Sequence, residues 1–349
     1  MLGHLMVYSC YSFQNSTIMI EDLCKRASEL HIEALTLTDI NNMYGAMEFM
    51  KYCHKYQIKP IFGLEASVKM HGEIYPLILI AKNQQGYHDL VKITSQSSLS
   101  DDTSINLEDL QQYQEHLFFL SGCNEGIIER LLLKELDAEV IKYLTLFKEL
   151  FKENFYICIQ EHDIAMQNTI NERLIALAKI HHVPVCCSNE VRYLLQEDAY
   201  ALELLQASEK SRVLDLQHQP ITNQKYLKSS YEMESVFSKE IIDNTNRIIQ
   251  LSNATIPTNQ LYMPTYPVPN EGKAADYLKQ LCVVGLKKRF EGKEIPTIYK
   301  ERLHKELSVI HKMEFDDYFL IVFDYVRFAK THHILVGHGR GSAAGSLVS

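Results

Sequence analysis

Over the first 190 residues, apolar positions follow a strand period and a helix period in turn. His4-Leu5-Met6-Val7-Tyr8-Ser9 reads as a first strand. Residues 18–30 then place Ile20, Leu23, Cys24, Ala27 and Leu30 at helical spacing, with Asn15 and Ser16 as cap candidates. The same alternation predicts a strand over 32–38, a helix over 44–56, and strands over 58–68 and 75–81. A helix follows over 85–94, a strand over 117–120, and helices over 125–133 and 138–151. A strand over 155–160, a helix over 164–180 and a strand over 183–187 complete the run. Strands and helices alternating at this spacing predict an α/β fold with a parallel sheet and crossover helices, open or closed into a barrel. In such folds the chemistry sits at the C-terminal ends of strands, so the residues just after each strand are the ones to inspect.

Beyond a helix over 199–207 the register weakens. Residues 210–228 read as a polar connection, and 231–251 as one or two helices. Residues 256–272 hold Pro257, Pro264, Pro267 and Pro269 with little periodicity, which predicts an extended linker. Helical spacing returns over 274–290, 299–312 and 318–331. Three regions follow from this pattern: 1–210, 211–272 and 273–349.

Composition changes the picture only in part. The 349 residues, 46% hydrophobic and 23% charged, suffice for two domains with sizeable cores. No apolar run reaches the roughly 18 residues needed to span a bilayer, and the N-terminus lacks the pattern of a signal peptide. Eight cysteines at irregular spacing, without a CxxC pair and with Cys186 and Cys187 adjacent, read as reduced thiols of a cytoplasmic protein. The net charge of -9 argues against one continuous nucleic-acid-binding surface. Its distribution is uneven: residues 273–349 carry 13 Lys/Arg against 9 Asp/Glu, leaving a net -13 on the remainder. Lys287-Lys288-Arg289 reads as a helix C-terminal cluster, or as a contact to a template backbone. The histidine pairs His181-His182 and His332-His333 fall at predicted helix ends, where a cation suits the dipole.

The last stretch is the most distinctive. His333-Ile334-Leu335-Val336 reads as a short strand, and Gly337-His338-Gly339-Arg340-Gly341 as a turn. Ser342-Ala343-Ala344 then reads as a helix start with Ser342 as a candidate N-cap. Backbone N–H groups in such a turn converge on an anion, and Arg340 adds a planar fork of donors suited to phosphate. The spacing is neither that of a Walker A loop nor that of GxGxxG. On the pattern alone, the turn is equally a tight connection whose small residues permit close packing.

The run Met313-Glu314-Phe315-Asp316-Asp317-Tyr318-Phe319-Leu320-Ile321-Val322-Phe323-Asp324, followed by Ile334-Leu335-Val336-Gly337-His338-Gly339-Arg340-Gly341-Ser342-Ala343-Ala344-Gly345-Ser346, resembles the palm entry of the bacterial DNA polymerase III alpha-subunit family. His338 stands where that family usually carries Pro. The resemblance implies that Gly339, Arg340, Gly341 and Ser342 bind the triphosphate of an incoming deoxynucleotide.

A second resemblance lies at the strand ends. His4 to Ser9, Thr38-Asp39-Ile40-Asn41, Gly63-Leu64-Glu65 and Ser188-Asn189-Glu190-Val191-Arg192 follow the order of the PHP (polymerase and histidinol phosphatase) domain motifs. That domain, a distorted (β/α)7 barrel, opens the same polymerase family. Active members bind a metal cluster through His-x-His after the first strand, Asp-His after the second, a Glu after the third and Asp-x-His after a late strand. Here Met6, Tyr8, Ile40 and Arg192 stand in ligand positions. Only Asp39, Glu65, Glu190 and His162 keep coordinating chemistry. A thioether is too soft for Mg or Mn, and Arg192 repels a cation. No metal is expected in the barrel.

Both resemblances together imply part of a DNA-directed DNA polymerase: a barrel over 1–210, connecting helices and linker over 211–272, and the start of the palm and thumb over 273–349. They imply nucleotidyl transfer to a primer 3′ end, with Mg2+ held by palm carboxylates expected beyond Ser349 and no catalytic residue within the chain. Primer-template DNA, deoxynucleoside triphosphates, a sliding clamp and a clamp loader are the implied partners, with no membrane. A metal-dependent phosphoesterase or proofreading exonuclease, and a non-catalytic docking module of the replisome, are the alternative readings. The strand ends without His speak against the first, and the acidic charge suits the second.

Overall fold

The chain divides into two units, Met1–Ile256 and Pro257–Ser349. The computed structural model describes residues 1–209, 211, 213–214, 220–258, 262–339 and 341–349. The first unit runs β1 (Gly3–His4), α1 (Ile20–Glu29), β2 (Ala34–Leu37), α2 (Ala46–Lys55), β3 (Lys59–Met70), β4 (Glu73–Ala81), α3 (Gln84–Ser98), β5 (Ile105–Asn106) and β6 (Leu117–Leu120). It continues through α4 (Ile127–Leu133), α5 (Asp137–Phe151), β7 (Phe155–Ile159), α6 (Ala165–His181), β8 (Val185–Cys187), α7 (Ala199–Glu209), α8 (Ser230–Val236) and α9 (Lys239–Leu251).

The strands pair in the order β1-β2-β3-β4-β6-β7-β8, with the short β5 paired to β3 off this path. The sheet is mixed, which corrects the expectation of parallel strands throughout: β4 runs antiparallel to both β3 and β6. The cause is local. His71 and Gly72 both take positive φ (50° and 84°), the combination of a two-residue hairpin whose twist matches its strands. The two ends of the curled sheet meet where Val7 bridges Val191. There the Tyr8 N–H donates to the Val191 carbonyl at 3.0 Å, and the Val191 N–H donates to the Met6 carbonyl at 2.9 Å. The predicted strand over 4–9 is therefore two paired residues followed by this isolated bridge. β1 packs so tightly on β2 that a Cβ at Gly3 would lie 1.8 Å from the Ala34 carbonyl oxygen.

Strand alternation sorts the apolar residues onto two faces. Leu77 and Leu79 face outward to a large cluster shared with the helices, including Ile20, Leu23, Cys24 and Ala27 of α1. Ile78, Ile80, Phe118, Leu120, Tyr156, Cys158 and Cys186 face into the curl. Ile248 and Ile249 of α9 join this inner cluster, although α9 falls among the helices read from sequence as connecting ones, outside the 1–210 barrel. Thr245 ties α9 to β8, its hydroxyl accepting from the Cys187 N–H at 3.0 Å. All eight cysteines are free.

The second unit is helical: α10 (Ala274–Arg289), α11 (Thr297–Lys312) and α12 (Asp316–Thr331). Leu278, Leu286, Leu303 and Leu320 are its buried apolar anchors. The Asp317 carboxylate accepts from the Tyr266 N–H at 2.8 Å, and Tyr266 stacks on Tyr277 with centroids 6.3 Å apart. The strand predicted over 333–336 does not form. Residues 334–339 have no regular structure and Leu335 is 99% exposed. No sheet exists among the described residues of this unit to pair with a strand, and a lone strand leaves its backbone groups unpaired. The predicted helix start is a single 3₁₀ turn, Gly341–Gly345, so Ser342 lies inside the turn and does not cap it. No described helix is long and apolar enough to cross a membrane.

Candidate functional site

The strand ends of the first unit bring the singled-out residues to one polar network. Asp39 follows β2 and is buried. Its Oδ1 accepts from the Ser9 N–H at 2.7 Å and the Ser12 hydroxyl at 2.6 Å, and its Oδ2 from the Ser9 hydroxyl at 2.7 Å. Burial pushes the Asp39 carboxyl up from its ordinary value, against the pull of these donors. Glu65, in β3, sits opposite Ile40 through an isolated bridge. Its Oε2 accepts a hydrogen bond from the Tyr8 hydroxyl. Burial raises both groups, the Tyr8 phenol well above its usual range.

Arg192 organises the other side. Its Nε donates to Glu190 Oε1 at 2.7 Å, Nη1 donates to the Asn15 carbonyl at 2.9 Å, and its guanidinium lies 4.1 Å from the Tyr8 ring centroid. Lys225 Nζ reaches the same Glu190 oxygen at 2.9 Å. Arg192 and Glu190 are only 12% and 11% exposed at the side chain. Burial alone would raise the Glu190 carboxyl, but Lys225 and Arg192 outweigh it and hold the group well below the usual carboxylate range. Glu190 takes a left-handed φ of 52°, which costs a non-glycine residue roughly 1–2 kcal/mol. Asn189 fixes this corner by donating to the Gln224 and Tyr226 carbonyls at 2.8 and 2.6 Å.

His162, after β7, is buried and donates through Nε2 to the Asn189 carbonyl at 3.0 Å. Burial lowers its pKa to about 4, so the ring is neutral at pH 7. Its Nδ1 has no partner among the described residues. Met6 turns its sulfur toward the Cys123 thiol, 3.5 Å away, and Ile40 packs on the inner apolar cluster.

These residues do not fit a hydrolytic metal cluster. Such a cluster needs several imidazoles and carboxylates with free lone pairs converging on the ions. Here Asp39 is engaged by serine donors, Glu65 by a phenol and Glu190 by two cations. Among the described residues, no three His, Cys, Asp or Glu side chains are placed to hold a metal ion.

Residues 4–162 match the PHP domain family, and residues 276–349 match the family described as the bacterial DNA polymerase III alpha NTPase domain. Over 99% of its length the chain is 36% identical to the DNA polymerase III subunit alpha of Borreliella burgdorferi and 35% identical to that of Bacillus subtilis. The chain is homologous to DNA polymerase III alpha subunits. It spans about a third of the length of these curated relatives, 32% and 31%. An amidohydrolase from Chromobacterium violaceum is similar to 55% of the chain, over 88% of its own length, at 10% identity and a TM-score of 0.39.

The second candidate site, residues 339–342, belongs to the helical unit. Arg340 lies outside the described residues. Gly339 and Ser342 are exposed, and Gly341 takes a φ of 72°, which favours glycine. Added Cβ atoms at Gly339 and Gly341 would meet nothing within 4 Å among the described residues. Sequence reasoning missed the roles of Ser9, Ser12 and Lys225 in the strand-end network. The two serines were detectable as neighbours of the first motif. Lys225 was not, because it comes from a polar connection with no pattern of its own.

Proposed function

We propose that this chain works within a DNA-directed DNA polymerase that adds deoxynucleotides to a primer 3′ end. In this reading residues 339–342 bind the incoming triphosphate, and the PHP barrel is a metal-free structural module. The similarity to alpha subunits, continuous through both units, supports the polymerase reading. The observation that carries the barrel reading is the Arg192–Glu190–Lys225 network at the strand ends. Arg192 there supplies a fixed positive charge to the remaining carboxylate.

At the turn, backbone N–H groups, the Ser342 hydroxyl and the Arg340 guanidinium orient the triphosphate. The divalent ions of such a site, Mg2+ in this reading, supply charge neutralisation during transfer. Primer-template DNA and deoxynucleotides are the substrates, and a sliding clamp and clamp loader the expected partners of a cytoplasmic enzyme. In a chain of the relatives' length, Arg340→Ala should lower kcat/KM for the nucleotide about ten- to a hundredfold, since hydrogen bonds to charged groups are worth roughly 1.5–3 kcal/mol. Arg340→Lys should recover part of that loss, because an ammonium lacks the planar fork. Primer-template affinity without nucleotide should stay constant. A loss of DNA binding at unchanged nucleotide KM would assign the turn to the template instead.

A further inference from the structure

The segment just after the glycine-rich turn is tied to α11 by one carboxylate. Glu306 Oε2 accepts from the Ser346 hydroxyl at 2.8 Å, the Leu347 N–H at 2.8 Å and the Val348 N–H at 3.1 Å. Its Oε1 accepts from Arg302 Nε at 2.5 Å, one helical turn earlier, and Arg302 Nη2 reaches the Gly345 carbonyl at 3.4 Å. The Ser346 hydroxyl in turn accepts from the Val348 and Ser349 N–H groups, both at 3.1 Å. Successive N–H groups that point the same way form a concavity for an anion, and here the anion is a side chain of the same unit. The Glu306 side chain is 14% exposed while Gly341 to Gly345 are exposed throughout. The segment is thus held on the C-terminal side of the turn, while residues 334–339 before it have no regular structure.

We propose that Glu306, braced by Arg302, is a positioning residue that fixes the turn at residues 339–342 for nucleotide binding. The proposal rests on the triphosphate reading of that turn. Glu306 does not touch the nucleotide. It acts by holding Ser346, Leu347 and Val348, so that the backbone donors upstream are in place before the triphosphate arrives. The i,i+4 pairing with Arg302 restricts the Glu306 rotamer, and it leaves Oε2 free for the segment. Burial raises the Glu306 carboxyl, but Arg302, Ser346 and the Val348 and Leu347 N–H groups outweigh it, so the group is ionised at neutral pH. The charge is part of the function, because a carboxylate accepts more strongly than an amide oxygen.

Two measurements test this. In the 349-residue chain, amide exchange at Leu347 and Val348 should accelerate at least about tenfold in Glu306→Ala, while α11 keeps its protection. Glu306→Gln, which keeps an acceptor without the charge, should give an intermediate rate. In a chain of the relatives' length, Glu306→Ala should raise the nucleotide KM about tenfold or more at unchanged primer-template Kd, and Glu306→Gln should rescue part of it. Arg340→Ala is measured beside them. If Arg340→Ala leaves the nucleotide KM unchanged, the triphosphate reading fails. If Arg340→Ala raises KM and Glu306→Ala does not, that reading stands and the positioning role is overturned. Equal exchange at Leu347 and Val348 in wild type and Glu306→Ala overturns it as well.

Discussion

Replacing Arg192 by Met keeps the volume of the side chain but removes its charge and its donors. Glu190 would then face only Lys225, at 2.9 Å, and the Asn15 carbonyl would lose its 2.9 Å partner. Removing one member of a buried ion pair costs about 3–5 kcal/mol, because the other charge stays buried. The remaining Lys225 argues for the lower half of that range. The lost guanidinium contact with the Tyr8 ring, at 4.1 Å, adds about 1–2 kcal/mol. We expect a total near 5 kcal/mol, hence a fall of roughly 10–20 °C in the Tm of the barrel for a unit of this size. Near-UV circular dichroism of the tyrosines follows the transition, since the chain has no tryptophan. The pH dependence supplies a sign. Glu190 has a depressed folded pKa, so its stabilisation is fully present above the unfolded value of 4.5 and is lost as pH falls through the folded value. In Arg192→Met the folded value rises, and the acid limb of the stability curve should move to higher pH. A variant within 0.5 kcal/mol of wild type at pH 7 (a flat-surface value), with the same acid limb, would refute the reasoning.

The same barrel holds Glu129 in α4, fully buried, with Oε1 accepting from the Ser121 hydroxyl at 2.8 Å and Oε2 without a partner among the described residues. Burial raises its pKa from 4.5 to about 8. Its stability contribution is therefore fully present below 4.5 and lost as pH rises through about 8. By about 1.4 kcal/mol per pH unit the loss is at most about 5 kcal/mol. Glu129→Gln should flatten the decline between pH 5 and 9 in urea titrations; an unchanged slope would show that Glu129 ionises freely. Limited proteolysis should first cut within residues 257–272 and separate an acidic fragment from a basic helical one, because extended linkers are cleaved before packed elements. A first stable cut before residue 190 would contradict the two-unit division.

The order of elements was legible because apolar spacing is dictated by the same burial that the fold uses. α1 shows it: of the five predicted positions Ile20, Leu23, Cys24 and Ala27 are buried, while Leu30 lies just past the helix end and is half-buried. Its cap was not legible. Met19 precedes the helix without a side-chain bond, while Ser16 instead donates to the Tyr8 carbonyl at 2.8 Å and the Arg192 carbonyl at 2.9 Å. A capping signal cannot be told from a tertiary hydrogen bond when only spacing is read. The antiparallel turn between β3 and β4 was signalled weakly, by a lone Gly72 after His71. The strand read at 333–336 failed for a different reason: apolar, β-branched composition predicts a strand only where a sheet waits to pair with it. At the strand-end site, Met6, Tyr8, Ile40 and Arg192 were visible as departures from a motif. The partners in the network came from places as distant in sequence as Ser12 and Lys225, which only the fold brings together.

In the reading proposed above, Arg192 and its hydrogen-bonded neighbours take the place of metal ligands at the strand ends. Elemental analysis of the purified 349-residue chain, after dialysis against a weak chelator, tests it most directly. Far less than one equivalent of Zn, Mn or Fe is expected, with no change in barrel Tm when metal is added back. Near-integral metal content, or a barrel that melts earlier once metal is stripped, would contradict it.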